Sequence, residues 1–114
     1  MIVTYFDLEP TMSTLLYVDF PYSGPWGEDM AIAMKELAQS ISQEPGLIWK
    51  LWTENQEQSK AGGVYLFSDK ASAQAYLDMH SKRLNSVGIT GIDARFFDVN
   101  PALSEINAGP LSGN

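Results

Sequence analysis

The chain has 114 residues, enough for one packed domain and too few for two. Apolar residues make up 45% of it, which points to a packed interior rather than a disordered chain, and a net charge of −7 with seven scattered Lys and Arg argues against nucleic acid as a partner. Without cysteine there is no disulfide, no thiolate nucleophile and no Cys-based metal site.

Met1 to Leu8 carry neither a basic leader nor a long apolar run, so a cytoplasmic protein with no signal peptide and no membrane partner is expected. Residues 1–12 read as an N-terminal extension of poor order, with Ile2 to Phe6 as an alternative added strand. The domain proper is expected over 13–114.

Ser13 to Phe20 (STLLYVDF) is rich in β-branched, aromatic and aliphatic side chains and reads as a strand. Pro21 to Pro25 breaks it. Met30, Ala33, Met34, Leu37, Ala38 and Ile41 then recur at spacings of three and four, an amphipathic helix that Pro25 opens and Glu44-Pro45-Gly46 ends. Leu47 to Thr53 and Gly63 to Ser68 form a hairpin across the polar segment Glu54 to Lys60. Gly62-Gly63 reads as a bulge or a flexible start to the third strand. Ser68 or Asp69 can cap a second helix, with Ala73, Tyr76, Leu77, His80 and Leu84 as its stripe. Ile92 to Val99 is the fourth strand, and a short tail follows Asn100-Pro101.

The order β-α-β-β-α-β is the ferredoxin-like α+β pattern with a four-stranded antiparallel sheet. Two helices cover one face of such a sheet, and the other face should be wet. Here both faces are apolar. Leu47, Trp49 and Leu51 oppose Ile48 and Trp52, Tyr65 and Phe67 oppose Val64 and Leu66, and Phe96 opposes Phe97. Burial of each such side chain is worth roughly 1.5–3 kcal/mol, so a second copy is expected to cover the free face. A homodimer with two-fold symmetry lets one patch serve both partners.

Several contiguous motifs carry a further signal. Gly24-Pro25-Trp26-Gly27, Ser42 to Gly46 leading into Trp49 to Glu54, Ala61 to Phe67, His80 to Leu84, and Phe97 to Asn100 with Leu103-Ser104 and Ile106-Asn107 resemble the YdhR-type mono-oxygenase family. The likeness runs from about Met12 to Leu111, and Met1 to Thr11 is extra to it. This resemblance implies a dimeric α+β barrel. It also implies an activity like that of the quinol mono-oxygenases, which oxidise phenolic rings with O2 and need no flavin, haem or metal. The expected substrate is a small aromatic compound, the expected cofactor none, and nucleic acid is not an expected partner.

The resemblance directs attention to the helix side of the sheet. His80, the only histidine, reads either as the general base for a phenolic hydroxyl or as a hydrogen-bonded core residue. Arg83, one turn on, reads as an oxyanion partner or a solvated helix end. Lys50 reads as an oxyanion donor or as a snorkelling edge lysine. Trp26, Trp49, Trp52, Tyr65, Phe67 and Tyr76 are the candidate substrate-binding set, with Phe96 a further aromatic; strand parity allows only one of Trp49 and Trp52 to face the pocket. Trp26 is read as a pocket rim or lid. No metal-ligand spacing, phosphate loop or nucleophile elbow is present. Two other functions compete with the enzyme: a dimeric carrier or sensor of a small hydrophobic ligand, and a haem-degrading relative.

Overall fold

A computed structural model of the protein describes residues 12–112, so the extension expected over residues 1–11 lies outside the described residues. Strand β1 (Thr14–Pro21) leads to two short helices, α1 (Gly27–Ala33) and α2 (Lys35–Ile41). The hairpin β2 (Leu47–Asn55) and β3 (Lys60–Phe67) follows, then α3 (Lys70–Ser86), β4 (Asp93–Asp98) and α4 (Pro101–Ile106). The sheet order β2-β3-β1-β4, antiparallel at every pairing, is that of the ferredoxin-like α+β fold.

Strand parity builds the core. Thr14, Leu16, Val18 and Phe20 of β1 alternate with half-buried residues and meet Ala61, Tyr65 and Phe67 of β3 on the helix side. Ala73, Tyr76, His80 and Leu84 of α3 and Met30 and Ile41 of α1 and α2 close over them. Asp69 starts α3 by accepting the Ser72 N–H at 2.7 Å, which meets one of the donors a helix start leaves open.

Several expectations are corrected. The single helix expected over Met30–Ile41 is interrupted at Met34 (φ −104°, ψ 9°), although the Met34 and Ala38 N–H groups still bond four residues back. Ala33, assigned to its apolar stripe, is exposed. Pro25 lies before the helix rather than in its first turn, because Trp26 is the N-cap. Leu47 pairs with Phe67 and Trp49 with Leu66, so the register slips at Ile48. That bulge turns Leu47 toward the helices and leaves Trp49 and Leu51 on the opposite face, so the three do not share a side. The tail contains the short helix α4, capped by Asn100 accepting from Leu103 N–H.

The paired glycines are in register within β3 and form no bulge. Gly62 faces Val18 and Asp19, and a side chain there would run into the Val18 carbonyl. Gly63 sits beneath Lys50, whose Cε would lie 2.7 Å from an added Cβ. After β4 the chain passes from Ser13, where Val99 N–H bonds its carbonyl at 3.1 Å, to the opposite edge of the sheet. There the Trp49 indole N–H donates to Pro110 O at 2.9 Å. Residues 99–110 therefore run from the β4 edge to the β2 edge, and α4 buries none of its residues on the way.

Gly62→Ala should destabilise the fold by about 1–3 kcal/mol, because the methyl forces β3 away from β1. Urea unfolding measures this; an unchanged midpoint and slope would contradict the close approach.

Candidate functional site

Between the helices and the sheet lies a cavity of about 40 Å³, lined by Phe20, Tyr22, Met30, Met34, Leu37 and Leu84 with Lys50, Trp52, Tyr65 and His80. It needs roughly 10–15 Å³ per water, so it holds a small substituent and no ring. Met30, Met34 and Trp52 also wall a groove of about 370 Å³ along α1 and α2, toward Lys35 and Glu54.

Lys50 is the residue whose placement the sequence least suggested. Its strand position opposite Tyr65 puts it on the helix side, and the bare backbone of Gly63 lets its chain lie flat across β3. Nζ stops 3.5 Å from the Trp52 ring centroid and 4.7 Å from that of Tyr65. Aromatic faces attract a cation, by about 2 kcal/mol when water is excluded. They do not replace a carboxylate, and among the described residues none lies within salt-bridge distance of this amine. Burial, helped by the nearby Arg83 charge, brings the Lys50 pKa down to about 7.

His80 is buried on α3 and stacks on Tyr76 with ring centroids 5.0 Å apart. Arg83, one turn later, reaches back to its Nδ1 with Nε at 3.2 Å and Nη2 at 3.0 Å. A guanidinium only donates, so Nδ1 accepts and the neutral ring carries its proton on Nε2. Burial, then the charges of Arg83 and Lys50, hold the His80 pKa down to about 3. The imidazole is thus a fixed neutral donor. Behind it the Tyr76 hydroxyl donates to Tyr65 Oη at 3.1 Å. Burial pushes the Tyr65 pKa up to about 12 and raises that of Tyr76 as well. Tyr22 Oη, at the cavity wall, is buried and has no hydrogen-bond partner.

The expected site residues divide accordingly. His80, Trp52 and Tyr65 line the cavity, and Arg83 stands behind His80 as its partner. Phe67 and Tyr76 belong to the core stack behind Tyr65, with centroids 5.5 Å apart, and do not reach the cavity. Trp49 is on the far face, bonded to the tail, because parity excludes it once Trp52 points inward. Trp26 is set edge-on against Tyr22 at 5.2 Å and supports the wall from behind rather than forming a rim. Phe96 packs against the core and lies under Lys70, whose Nζ is 5.6 Å from its ring. Lys50 is on the edge strand β2 and partly buried, and its amine turns inward over Trp52 and Tyr65. Tyr22, Met30 and Met34 were missed; the signal for Tyr22 was only an aromatic beside the loop prolines. No group of three His, Cys, Asp or Glu side chains among the described residues is arranged to hold a metal ion.

The family model described as "Putative mono-oxygenase ydhR" matches residues 15–110, which include every residue lining the cavity. This chain belongs to the ydhR family. No curated protein matches it. Among solved structures it is similar to NE2512, a protein of unknown function from Nitrosomonas europaea, at 16% identity and a TM-score of 0.56, over 80% of this chain and 92% of that one. At that identity the likeness shows the shared fold alone. The family's name attaches mono-oxygenase activity to the fold, and no helix among the described residues is long and apolar enough to cross a membrane.

The His80 ring should stay neutral, with its proton on Nε2, from pH 8 down to about pH 4. Its folded pKa lies below the unfolded value of 6.5, so the unfolded chain binds the extra proton between them. Stability should therefore fall as pH drops below about 6.5, by roughly 1 kcal/mol per unit from this residue. Nitrogen-detected NMR of the ring reads the tautomer; a titration midpoint near 6.5 would contradict the Arg83 contact.

Proposed function

We propose that the protein oxidises a small phenol or hydroquinone with O2, its hydroxyl in the helix-side cavity and its ring in the adjoining groove, without flavin, haem or metal, and that it works as a homodimer. The observation that carries this reading is the pairing of an amine near neutrality with a neutral, oriented histidine inside apolar and aromatic walls. Membership of the ydhR family supports the reaction class.

A phenol whose hydroxyl enters the cavity gives its proton to the unprotonated Nζ of Lys50. His80, suggested by the sequence as the base, is better suited to donate from Nε2 to the phenolate oxygen, since Arg83 holds its only lone pair. Arg83 in this reading is a positioning residue. The ring becomes electron-rich and is oxidised by O2. One oxygen atom bonds a ring carbon, the hydrogen on that carbon leaves as a proton, and the second oxygen departs as water. Phenol plus O2 thus gives quinone plus water, and the substrate itself supplies the electrons. Trp52, Met30 and Met34 exclude water while the anion reacts.

The dimer would use the open sheet face, where Leu51 is 61% and Phe97 50% exposed. Light scattering should give twice the chain mass of 12.6 kDa, and Leu51→Glu should shift it to a monomer. A monomeric native chain at micromolar concentration would refute this part.

Oxygen uptake with a panel of hydroquinones tests the chemistry. Lys50→Met should slow turnover by about 10²–10⁴-fold, the usual contribution of a proton acceptor, and His80→Ala by at least about tenfold. Ligand binding without oxygen uptake would overturn the enzymatic reading in favour of a carrier.

A further inference from the structure

The lining of the cavity has a one-sided polarity. The lining residues with a polar side-chain group are Tyr22, Lys50, Trp52, Tyr65 and His80, and no carboxylate is among them. The other titratable groups about Lys50 are Tyr65 on β3 and Arg83 on α3, beside His80. Glu54 lines the outer groove, where its Oε1 accepts from the Gly27 N–H at 3.0 Å, and burial, helped by its charge, raises the Tyr22 pKa. Lys35 lines the same groove. A chain of net charge −7 thus keeps this pocket's lining free of its own acids.

Tyr22 adds an independent observation. Its buried hydroxyl has no partner, and leaving such a group unmet costs about 1–3 kcal/mol. The Tyr22 side chain lines the same cavity, and a small shift of it toward a ligand oxygen would give the hydroxyl its acceptor. Size completes the description: about 40 Å³ inside accommodates a substituent, and about 370 Å³ beyond Trp52 accommodates an aromatic ring.

We infer that this site recognises its ligand as an aromatic anion, a ring bearing one carboxylate or phenolate group, with the anionic oxygen beside Lys50 and Tyr22 and the ring in the groove along Trp52, Met30 and Met34. This recognition rests on the cavity being the ligand site proposed above, and not on any oxidation there. A bound anion restores the charge that Lys50 lost on burial, so binding and protonation of the amine are linked. Affinity for a carboxylate therefore falls as pH rises above about 7.

Titration calorimetry of the full chain with benzoate, benzamide and phenol separates the outcomes. Benzoate and benzamide share a shape and differ in charge; benzoate should bind at least about tenfold tighter, a difference of about 1.4 kcal/mol. About one pH unit above the Lys50 value of about 7, benzoate should take up close to one proton, seen as heat that varies with the buffer. Phenol brings its own proton and should take up none. Lys50→Gln should erase the preference for benzoate over benzamide. Tyr22→Phe, which removes a hydroxyl with no internal bond, should weaken benzoate at least about threefold even if the lysine variant fails to fold. Equal affinities for benzoate and benzamide, no benzoate binding, or an indifferent Tyr22→Phe would each overturn the inference. Benzoate has no oxidisable hydroxyl, so its binding stands or falls apart from oxygen uptake by phenols.

Discussion

The organisation of the site depends on one contact: a lysine chain lying across a glycine. Lys50 leaves β2 on the helix side and crosses β3 where Gly63 offers only backbone, so its amine ends over two aromatic rings. A β-carbon at that position would come within 2.7 Å of the lysine Cε and push the chain toward solvent. The neighbouring Gly62 has a separate reason, the close approach of the β1 backbone. The pair thus joins two strands tightly and makes room for one buried amine.

From that contact the electrostatics follow. An amine without a carboxylate loses its preference for the charged form, and the same burial holds His80 neutral. Arg83 contributes twice, by its charge on both groups and by fixing the imidazole's tautomer. The tyrosines behind the ring stay protonated and fill volume, with the Tyr76–Tyr65 hydrogen bond satisfying two buried hydroxyls. The site is a basic group and a set of donors in an apolar wall, which suits stabilising an anion better than holding a metal.

Much of the fold was legible because local patterns and the fold agree. The stripe Ala73, Tyr76, His80 and Leu84 is buried as its spacing requires, and Asp69 caps the helix it precedes. Phe96 and Phe97 divide between the faces as parity demands. The bulge at Ile48 was not legible, because a single unpaired residue leaves no compositional trace yet reverses the side of Leu47. The interruption at Met34 has no glycine or proline to announce it.

The candidate site was legible only in part. His80 stood out because it is the sole histidine and shares a stripe with apolar residues. Its contact with Arg83 follows from i, i+3 spacing, but which nitrogen is held required the geometry. That Lys50, on the edge strand, turns its amine inward was not legible, because nothing in a sequence says that the strand opposite has a glycine beside it. Trp26 looked like a lid because its role, support of Tyr22, depends on the fold of the proline loop. The most direct test is therefore on Lys50 itself. NMR titration of its side chain in the free protein should give a midpoint near 7. A midpoint near the ordinary lysine value of 10.5 would contradict the buried, unpaired amine on which the site is built.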